Sequence, residues 1–279
     1  MIVVLDNSGR LCNRLVLFAH ACATAIESQQ PFCHLMAKDA MQFARLDPQT
    51  LAEFRVRCKS GIPGWSFLLR CRQAFYERVR PPNVEKYMAG NECRARMLSK
   101  RQLFPHVVLC WWYRNPGALL RQRSSICRIL APKEEFVVRP RGFAESVHAG
   151  SLPVVGVHVR RGDYRQFYGG RYFFSDEEYA RYMEMAYRSF PNGCRFVMVS
   201  DEPLDTDFFA QRGLDIHLFH GDDFREDLVM LSLCDYIMGP WSTFSWWAAY
   251  YGGRKLCHLH SRHDNVNEAS FHTITGQEV

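Results

Sequence analysis

The chain has 279 residues, of which 47% are hydrophobic and 23% charged, and its formal net charge is +6. This composition excludes a disordered chain, which would be poorer in apolar residues and richer in charge. The length suits one large domain or two of moderate size. The most apolar stretch, residues 227–251, is interrupted by Asp235, Gly239 and Pro240, and the N-terminus reaches Asp6 without a basic region. We therefore expect neither a membrane span nor a secretory signal peptide.

Charge is unevenly distributed along the chain. Residues 41–140 contain 19 Lys and Arg against 7 Asp and Glu, a net charge of +12, and the remainder carries −6. This basic segment is interpreted either as a solvated helical surface or as a peripheral contact with an anionic membrane. A nucleic-acid partner is not expected, because no zinc-finger spacing or aromatic–basic RNA motif accompanies the charge.

The eleven cysteines include no CxxC pair, which predicts free, largely buried thiols. Free thiols in turn predict a cytoplasmic protein, with peripheral contact at the inner membrane face as its membrane contact.

The N-terminal half predicts one strand and one helix, followed by an irregular segment. The strand covers residues 2–5, a turn follows at residues 6–9, and the next helix is indicated by apolar residues at helical spacing. Those residues are Leu15, Phe18, Ala19, Cys22 and Ile26. Residues 40–140 are interpreted as mostly helical, with one strand near Val107–Trp111.

The C-terminal half alternates strands with helices. Strands are predicted at 153–159, 195–200, 215–219, 236–239 and 255–259, and helices after Ser175, near 205–211, over 224–233 and from Ser242. Ser175 and Glu178 are expected to form a capping box. The alternation predicts a doubly wound parallel sheet. Because both ends of the chain begin this pattern, we expect an α/β fold of two Rossmann-like lobes, residues 1–150 and 151–279, with a cleft between them.

The sequence His158-Val-Arg-Arg-Gly-Asp-Tyr164 follows a buried strand, at the edge where open α/β sheets bind ligands. The planar guanidinium of arginine matches phosphate oxygens, so Arg160 and Arg161 predict an anion site. The structural alternative is an arginine that is ion-paired with Asp163 between the lobes. Residues 161–163 also match an adhesion tripeptide, which three residues are too few to support.

Two other turns resemble ligand-binding elements. Ser242 and Thr243 lie where a strand runs into a helix, and the free N–H groups of a helix start attract anions; plain N-capping is the alternative. After the first strand, Gly9 would allow a close backbone approach to a ligand, and Asn13 would donate hydrogen bonds. The chain has neither GxxxxGK[ST] nor GxGxxG, so these two nucleotide-binding motifs are excluded.

Acidic residues and histidines provide weaker candidates. Asp201 and Glu202 end a predicted strand and Asp227 begins a helix, positions that equally suit solvated carboxylates. Residues 257–264 hold three histidines without a standard zinc spacing, so no metal site is predicted.

Together these motifs resemble the α-1,2-fucosyltransferase family, glycosyltransferase family 11, and more broadly the α-1,2-, α-1,6- and protein O-fucosyltransferases. Residues 158–164 match the family motif HxRRGDY, and residues 199–203 resemble its second motif, a strand that ends in Ser-Asp-Asp. Residues 227–235, followed by Ser242-Thr-Phe-Ser-Trp-Trp-Ala-Ala, match the third. The turn after the first strand corresponds to the GGLGNQ-type opening, with Cys12 in place of a glycine and Arg14 in place of glutamine.

The resemblance implies a GT-B fold and an inverting transfer from GDP-fucose, without a metal ion or cofactor. It places nine residues around the donor: Gly9, Asn13, His158, Arg160, Arg161, Asp227, Ser242, Thr243 and Phe244. Arg160 would bind the β-phosphate and the bridging oxygen of the leaving GDP, and His158 and Asp227 would contact the nucleoside. The start of the last helix would contact the phosphates and the base or ribose, and Gly9 and Asn13 would line the cleft from the other lobe.

The implied chemistry is consistent with these residue types. A fixed guanidinium and a helix N-terminus stabilise the charge of a departing nucleoside diphosphate. An inverting transfer also needs a base for the acceptor proton; Asp163 and Asp6 are candidates, a water is another, and Asp163 alternatively orients one of the arginines.

The expected product is L-fucose on a hydroxyl, O-2, of a terminal β-galactoside in an oligosaccharide or lipid-linked glycan. The alternative is a catalytically inactive sugar-nucleotide or glycan-binding module, to which Cys12 and Arg14 point. Acceptor specificity is expected in residues 40–140, which the motifs do not cover.

Overall fold

The computed structural model describes residues 1–6, 9–35, 37–60, 106–108 and 113–278. The chain divides into two compact units, Met1–Pro132 and Lys133–Val279. Each unit is an α/β structure built on a sheet of parallel strands, as the sequence predicted.

The N-terminal unit has a sheet in the order β3-β2-β1-β4, in which all pairs are parallel. Its strands are β1 (Ile2–Val4), β2 (Phe32–His34), β3 (Val56–Cys58) and β4 (His106–Val108). Its described helices are α1 (Leu11–Glu27), α2 (Lys38–Phe43), α3 (Pro48–Glu53), α4 (Pro116–Arg121) and α5 (Arg123–Ile129).

The sequence prediction for this unit is confirmed at its start. Helix α1 buries the predicted apolar face, and Leu15 and Phe18 are fully buried. The strand predicted near Val107–Trp111 begins at His106, and residues 109–112 lie outside the described residues. So do residues 61–105, which form a large part of the segment predicted to be irregular and helical.

The C-terminal unit has a sheet in the order β10-β9-β8-β5-β6-β7, which is parallel except for the pair β9–β10. Its strands are β5 (Val154–Val159), β6 (Arg195–Ser200), β7 (Ile216–Leu218), β8 (Tyr236–Pro240), β9 (Lys255–Leu259) and β10 (His272–Thr273). Its described helices are α6 (Val138–Val147), α7 (Asp176–Ser189), α8 (Thr206–Ala210), α9 (Phe224–Leu233) and α10 (Thr243–Gly252).

Helices cover both faces of this central sheet, which explains why β5 is entirely buried. On one face, Val157 and Val159 pack in a core with Tyr179 and Met183 of α7. On the other face lie α9 and α10, which pack against each other. The predicted capping box starts α7: the Glu178 backbone N–H donates to Ser175 Oγ (3.3 Å), and the Ser175 N–H donates to Glu178 Oε2 (2.7 Å).

Helix α6 explains where the units divide. It packs against α9, and its Arg139 donates hydrogen bonds to Glu226 and to the His220 carbonyl oxygen, both at 3.1 Å. The unit therefore begins at Lys133, whereas the boundary predicted at 150/151 falls after this helix.

Two general properties concern the described residues alone. None of their helices combines the length and the apolar character needed to cross a bilayer. The eight cysteines in the described ranges are free, and six of them are buried.

Candidate active site

The loops that follow β5, β6 and β8 leave the C-terminal sheet at one edge, because these three strands are parallel neighbours. Each loop begins with polar or aromatic residues: Arg160 and Arg161 after β5, Asp201 after β6, and Trp241 and Ser242 after β8. The topology therefore brings together three motifs that are separated by 40 or more residues in sequence.

Arg160 is held by carboxylates from two different loops. Its Nη2 donates to Asp163 Oδ1 at 2.6 Å, and its Nη1 lies 3.1 Å from Asp201 Oδ2. The guanidinium carbon also lies 5.9 Å from the centre of the Tyr164 ring. Two charged partners on separate loops fix the plane of the guanidinium, which is the condition for bidentate recognition of a phosphate.

Arg161 points to a different partner, as expected for neighbouring residues at a strand end. It forms an ion pair with Asp176 in the first turn of α7, and its side chain is 11% exposed. Its Nε is buried and has no hydrogen-bond partner within the described residues. The pairing with Asp163 that the sequence offered as a structural alternative is thus made by Arg160, within one unit.

Asp201 connects both arginines. Besides its contact with Arg160, its Oδ1 accepts the backbone N–H of Arg161 at 2.8 Å. The sequence identified Asp201 as a carboxylate at a strand end and as part of the second family motif, but did not assign it as a site residue. The signal that would have singled it out is the adjacency of β6 and β5, which the order of the strands along the chain does not reveal.

His158 is a buried, neutral imidazole beside the start of α10. Its ring centre lies 4.8 Å from that of Phe244, and its Nδ1 has no partner among the described residues. Burial lowers the pKa of His158 to about 3, with Arg160 and His258 adding to the shift. Because an unpartnered buried polar atom is unusual, this nitrogen is available to a ligand.

A close approach of β8 to β5 positions these rings. Gly239 is paired with His258 across β8 and β9, and a Cβ at Gly239 would lie 2.8 Å from the Cβ of His158. His258 forms a hydrogen bond with the Ser242 backbone, and burial lowers its pKa to about 4. The first turn of α10 therefore lies beside two histidines. Sequence reasoning predicted His158 in the site but not His258; a glycine at a strand end was the available signal.

The first turn of α10 is capped by its own serine. Ser242 Oγ accepts the Phe244 N–H at 3.1 Å, so the capping alternative is found; Thr243 and Phe244 are partly exposed beside it. The Tyr164 hydroxyl donates to the Trp241 carbonyl oxygen at 2.8 Å, which joins the arginine loop to this turn.

The aromatic residues further along α10 have a structural role, as the sequence predicted. Trp246, Trp247 and Tyr250 are at most 1% exposed. The indole N–H of Trp246 donates to Glu278 Oε2 at 2.9 Å, and that of Trp241 donates to the Glu278 carbonyl oxygen at 2.8 Å. Glu278 thus binds the residues on both sides of the first turn of α10.

Asp227 lies in the first turn of α9, where its Oδ1 accepts the Gly221 N–H at 2.9 Å. Burial raises the pKa of Asp227 to about 6, and the neighbouring carboxylates Glu226 and Asp223 contribute to the rise. A carboxylate that is costly to ionise gains from a ligand that donates hydrogen bonds to it.

Gly9 and Asn13 belong to the N-terminal unit. Gly9 has a left-handed backbone (φ +79°) and the Asn13 side chain lies against it. Nearby, Cys12 is 5% exposed and Arg14 forms an ion pair with Asp39. The expected position of Gly9 and Asn13 along a cleft stays a prediction.

The histidines after β9 do not assemble with acidic residues or cysteines. In the ranges that the structure describes, no group of three His, Cys, Asp or Glu side chains is placed to hold a metal ion. His258 and His260 stand at 82° to each other with ring centres 6.0 Å apart.

Comparison with solved structures shows a shared fold. The fucosyltransferase NodZ from Bradyrhizobium aligns with a TM-score of 0.55 at 17% identity, over 88% of this chain and 90% of that one. NodZ alpha-1,6-fucosyltransferase co-crystallised with GDP aligns at 0.56 and 17% identity, over 88% and 91%; the same protein soaked with GDP-fucose aligns at 0.56 and 16%, over 92% and 94%. The predicted α/β fold class, of the GT-B kind, is confirmed by this likeness.

Comparison at the level of sequence is narrower. A search of the curated proteins found no match. The family model described as Glycosyl transferase family 11 matches residues 146–278, a range that contains every predicted site residue except Gly9 and Asn13. The resemblance indicated by the motifs is therefore confirmed over residues 146–278, which are similar to glycosyl transferase family 11.

Proposed function

We propose that the protein transfers L-fucose from GDP-fucose to O-2 of a terminal β-galactoside, with inversion and without a metal ion. The observation that carries the proposal is the Arg160 guanidinium, held by Asp163 and Asp201 beside the start of α10. The similarity to glycosyl transferase family 11 supports a glycosyltransferase. The structures of NodZ in complex with GDP and GDP-fucose support this choice of donor.

In the proposed reaction, the acceptor hydroxyl attacks the anomeric carbon of fucose as the bond to the β-phosphate oxygen breaks. The proton of that hydroxyl passes to a water molecule. Arg160 stabilises the negative charge that develops on the leaving GDP, together with the N–H groups at the start of α10. Asp163 acts through Arg160, since its carboxylate is engaged with that guanidinium. Arg161 holds the loop against α7.

The nucleoside would lie at the same edge of the sheet, between the end of β5 and the start of α10. His158 and Phe244 offer two neighbouring rings, and His158 also offers its free Nδ1. Ser242 and Thr243 lie beside them. Asp227 would accept hydrogen bonds from guanine, whose N–H groups are donors.

The test compares Arg160→Ala with Arg165→Ala. Arg165 is on the same loop but forms an exposed ion pair with Glu202 (2.6 Å), so it is a matched control. In EDTA, we expect transfer from GDP-fucose to lactose by the native protein, a loss of about 100-fold or more in Arg160→Ala, and a change below twofold in Arg165→Ala.

Three outcomes would contradict the proposal. Equal activity in Arg160→Ala and native protein would show that Arg160 does not stabilise the leaving group. Complete loss of native activity in EDTA would show that the transfer needs a metal ion. GDP binding without turnover on any galactoside would instead establish the inactive sugar-nucleotide module.

The acceptor is proposed to be a galactose-terminated oligosaccharide, either free or carried by a lipid at the cytoplasmic membrane face. The basic charge of residues 41–140 supports the lipid-linked form. Flotation with vesicles tests it: equal recovery on neutral and anionic lipid would leave only the free glycan.

A further inference from the structure

An aromatic patch lies on the surface of the C-terminal unit. It consists of Phe167, Tyr168, Tyr172 and Trp241. Phe167 is 38% and Tyr168 67% exposed, Trp241 is partly exposed, and Tyr172 lies buried beneath them. The ring centres of Phe167 and Tyr168 are 4.6 Å apart, and Tyr172 and Trp241 are 5.7 Å apart. Exposed rings that are gathered in this way mark a binding surface more often than isolated ones do.

The aromatic patch is continuous with the candidate active site. The Phe167 ring stacks on Tyr164 at 5.0 Å, and Tyr164 in turn contacts Arg160 and the Trp241 carbonyl oxygen. Trp241 directly precedes Ser242. A ligand on the aromatic patch would therefore lie next to the group proposed to bind the donor phosphates.

The backbone of the aromatic patch is strained at its most exposed ring. Tyr168 adopts φ +48° and ψ +41°, and Gly169 follows at φ +65°. The left-handed region is unfavourable for a tyrosine, and a ring that is two-thirds exposed regains little by burial. Strain of this kind concentrates where a side chain serves a ligand.

The chemistry of the patch selects one class of ligand. Its faces are aromatic, and its margin carries tyrosine hydroxyls and charged groups, including Arg171 at 5.5 Å from the Tyr172 ring centre. A fully apolar partner would leave these polar groups unsatisfied. A pyranose ring fits both parts, because one face of its C–H bonds is apolar and its margin is lined with hydroxyls.

We infer that the aromatic patch binds the terminal galactose ring of the acceptor. The inference rests on the proposed function for the position of the reaction at Arg160. It places part of acceptor recognition on residues 167–172 and Trp241 of the donor-binding unit, in addition to the segment 40–140 where sequence reasoning expected it. The galactose face would stack on the Tyr168 ring and contact Phe167, whose ring plane is turned by 80°, and its hydroxyls would remain free to reach the donor.

The test measures lactose binding to the GDP-loaded full chain by saturation-transfer NMR. We expect transfer to the galactosyl protons in the native protein, and a dissociation constant about tenfold higher in Phe167→Ala and Tyr168→Ala, which is about 1.4 kcal/mol. Tyr187→Ala is the matched control, since Tyr187 is a 40% exposed tyrosine on α7; its value should change by less than twofold.

A fourth variant separates binding from folding. Tyr168→Gly removes the ring and relieves the left-handed strain, so its melting temperature should be equal to or above that of the native protein while lactose binding is lost. Lactose binding that survives in Phe167→Ala and Tyr168→Ala, or that is absent from the native protein, overturns the inference. Lactose binding without fucose transfer contradicts the proposed function and leaves the aromatic patch standing.

Discussion

In each unit the first strand is followed by a loop at the carboxyl edge of a parallel sheet, yet the two loops differ. After β1, Gly9 turns the chain, and α1 starts at Leu11 with no side-chain cap on its N-terminus. After β5, two arginines meet three carboxylates that come from three different segments. The difference teaches that the topology brings loops together at the edge of a sheet but does not by itself make an anion site. The anion site also needs arginines that are held in place by ion pairs with residues distant in sequence.

The two units also differ in how a glycine is used at this edge. Gly9 is needed for its backbone angle, and a Cβ there would also lie 2.8 Å from the Asn13 Cβ, an atom that no rotamer of Asn13 moves. Gly239 is needed for space, because a Cβ there would lie 2.9 Å from the His158 backbone oxygen. A substitution at one of these glycines should therefore disrupt the loops at the edge of one sheet and leave those of the other unit intact.

The largest expected effect is on stability at Gly239. Gly239→Ala should lower the free energy of unfolding by about 3 kcal/mol, since backbone atoms cannot yield, and should abolish GDP binding. Gly9→Ala should cost about 2 kcal/mol, because its left-handed backbone disfavours alanine and the Asn13 Cβ crowds the added methyl group. Gly142→Ala, in α6 with nothing within 4 Å, should be neutral or stabilising. Urea denaturation measures all three; a Gly239→Ala protein as stable as the native protein would contradict the close approach of β8 to β5.

The next effect concerns the carboxylate partners of the arginines. Asp201→Asn removes one of the two anions that orient Arg160, so kcat/KM for GDP-fucose hydrolysis should fall about 100-fold, or about 2.7 kcal/mol. Asp39→Asn, which removes the partner of Arg14 in the N-terminal unit, should change it less than threefold. If Asp201 positions Arg160, the loss falls mainly on kcat; a loss confined to KM, or one shared by Asp39→Asn, argues against that role.

A smaller effect follows from the raised pKa of Asp227, about 6. GDP affinity should rise about tenfold between pH 5 and pH 7 as this carboxylate ionises and accepts from guanine. Stability should move the other way: the unfolded chain loses the proton at lower pH, so the contribution of Asp227 falls between about pH 4 and 6. Calorimetry of native protein against Asp227→Asn isolates this group from the titration of GDP itself. Identical pH profiles in the two proteins would exclude it.

The smallest effect compares the two helix starts. Ser242→Ala removes the bond from the Phe244 N–H and should cost about 1 kcal/mol. Arg10→Ser adds a cap to α1, because residue 10 is the N-cap and is already extended (φ −91°, ψ 179°), and should gain up to about 1 kcal/mol. Thermal unfolding compares them; a gain at Ser242→Ala would mean that this serine is strained for a ligand.

Local patterns predicted the elements well and their pairing poorly. Residues close in sequence are enough to predict the apolar face of α1, the capping box at Ser175 and the bounds of β6 and β9. The partners of Arg160 and Arg161 do not, because Asp176 and Asp201 approach only after β5, β6 and α7 have packed. The aromatic patch was missed for a similar reason: Tyr168 and Tyr172 meet Trp241 across about 70 residues of sequence.

Glu278 has a consequence for how the protein is handled. Its carbonyl and carboxylate oxygens receive both indole N–H groups that flank the start of α10, and its carboxylate also accepts from Thr275 and Gly276. Trimming by a protease after Ile274 would release the indole groups of Trp241 and Trp246 without touching the sheet. Such a product would elute and melt much like intact material while its donor affinity fell, so mass spectrometry of each preparation is the safeguard before kinetic constants are compared.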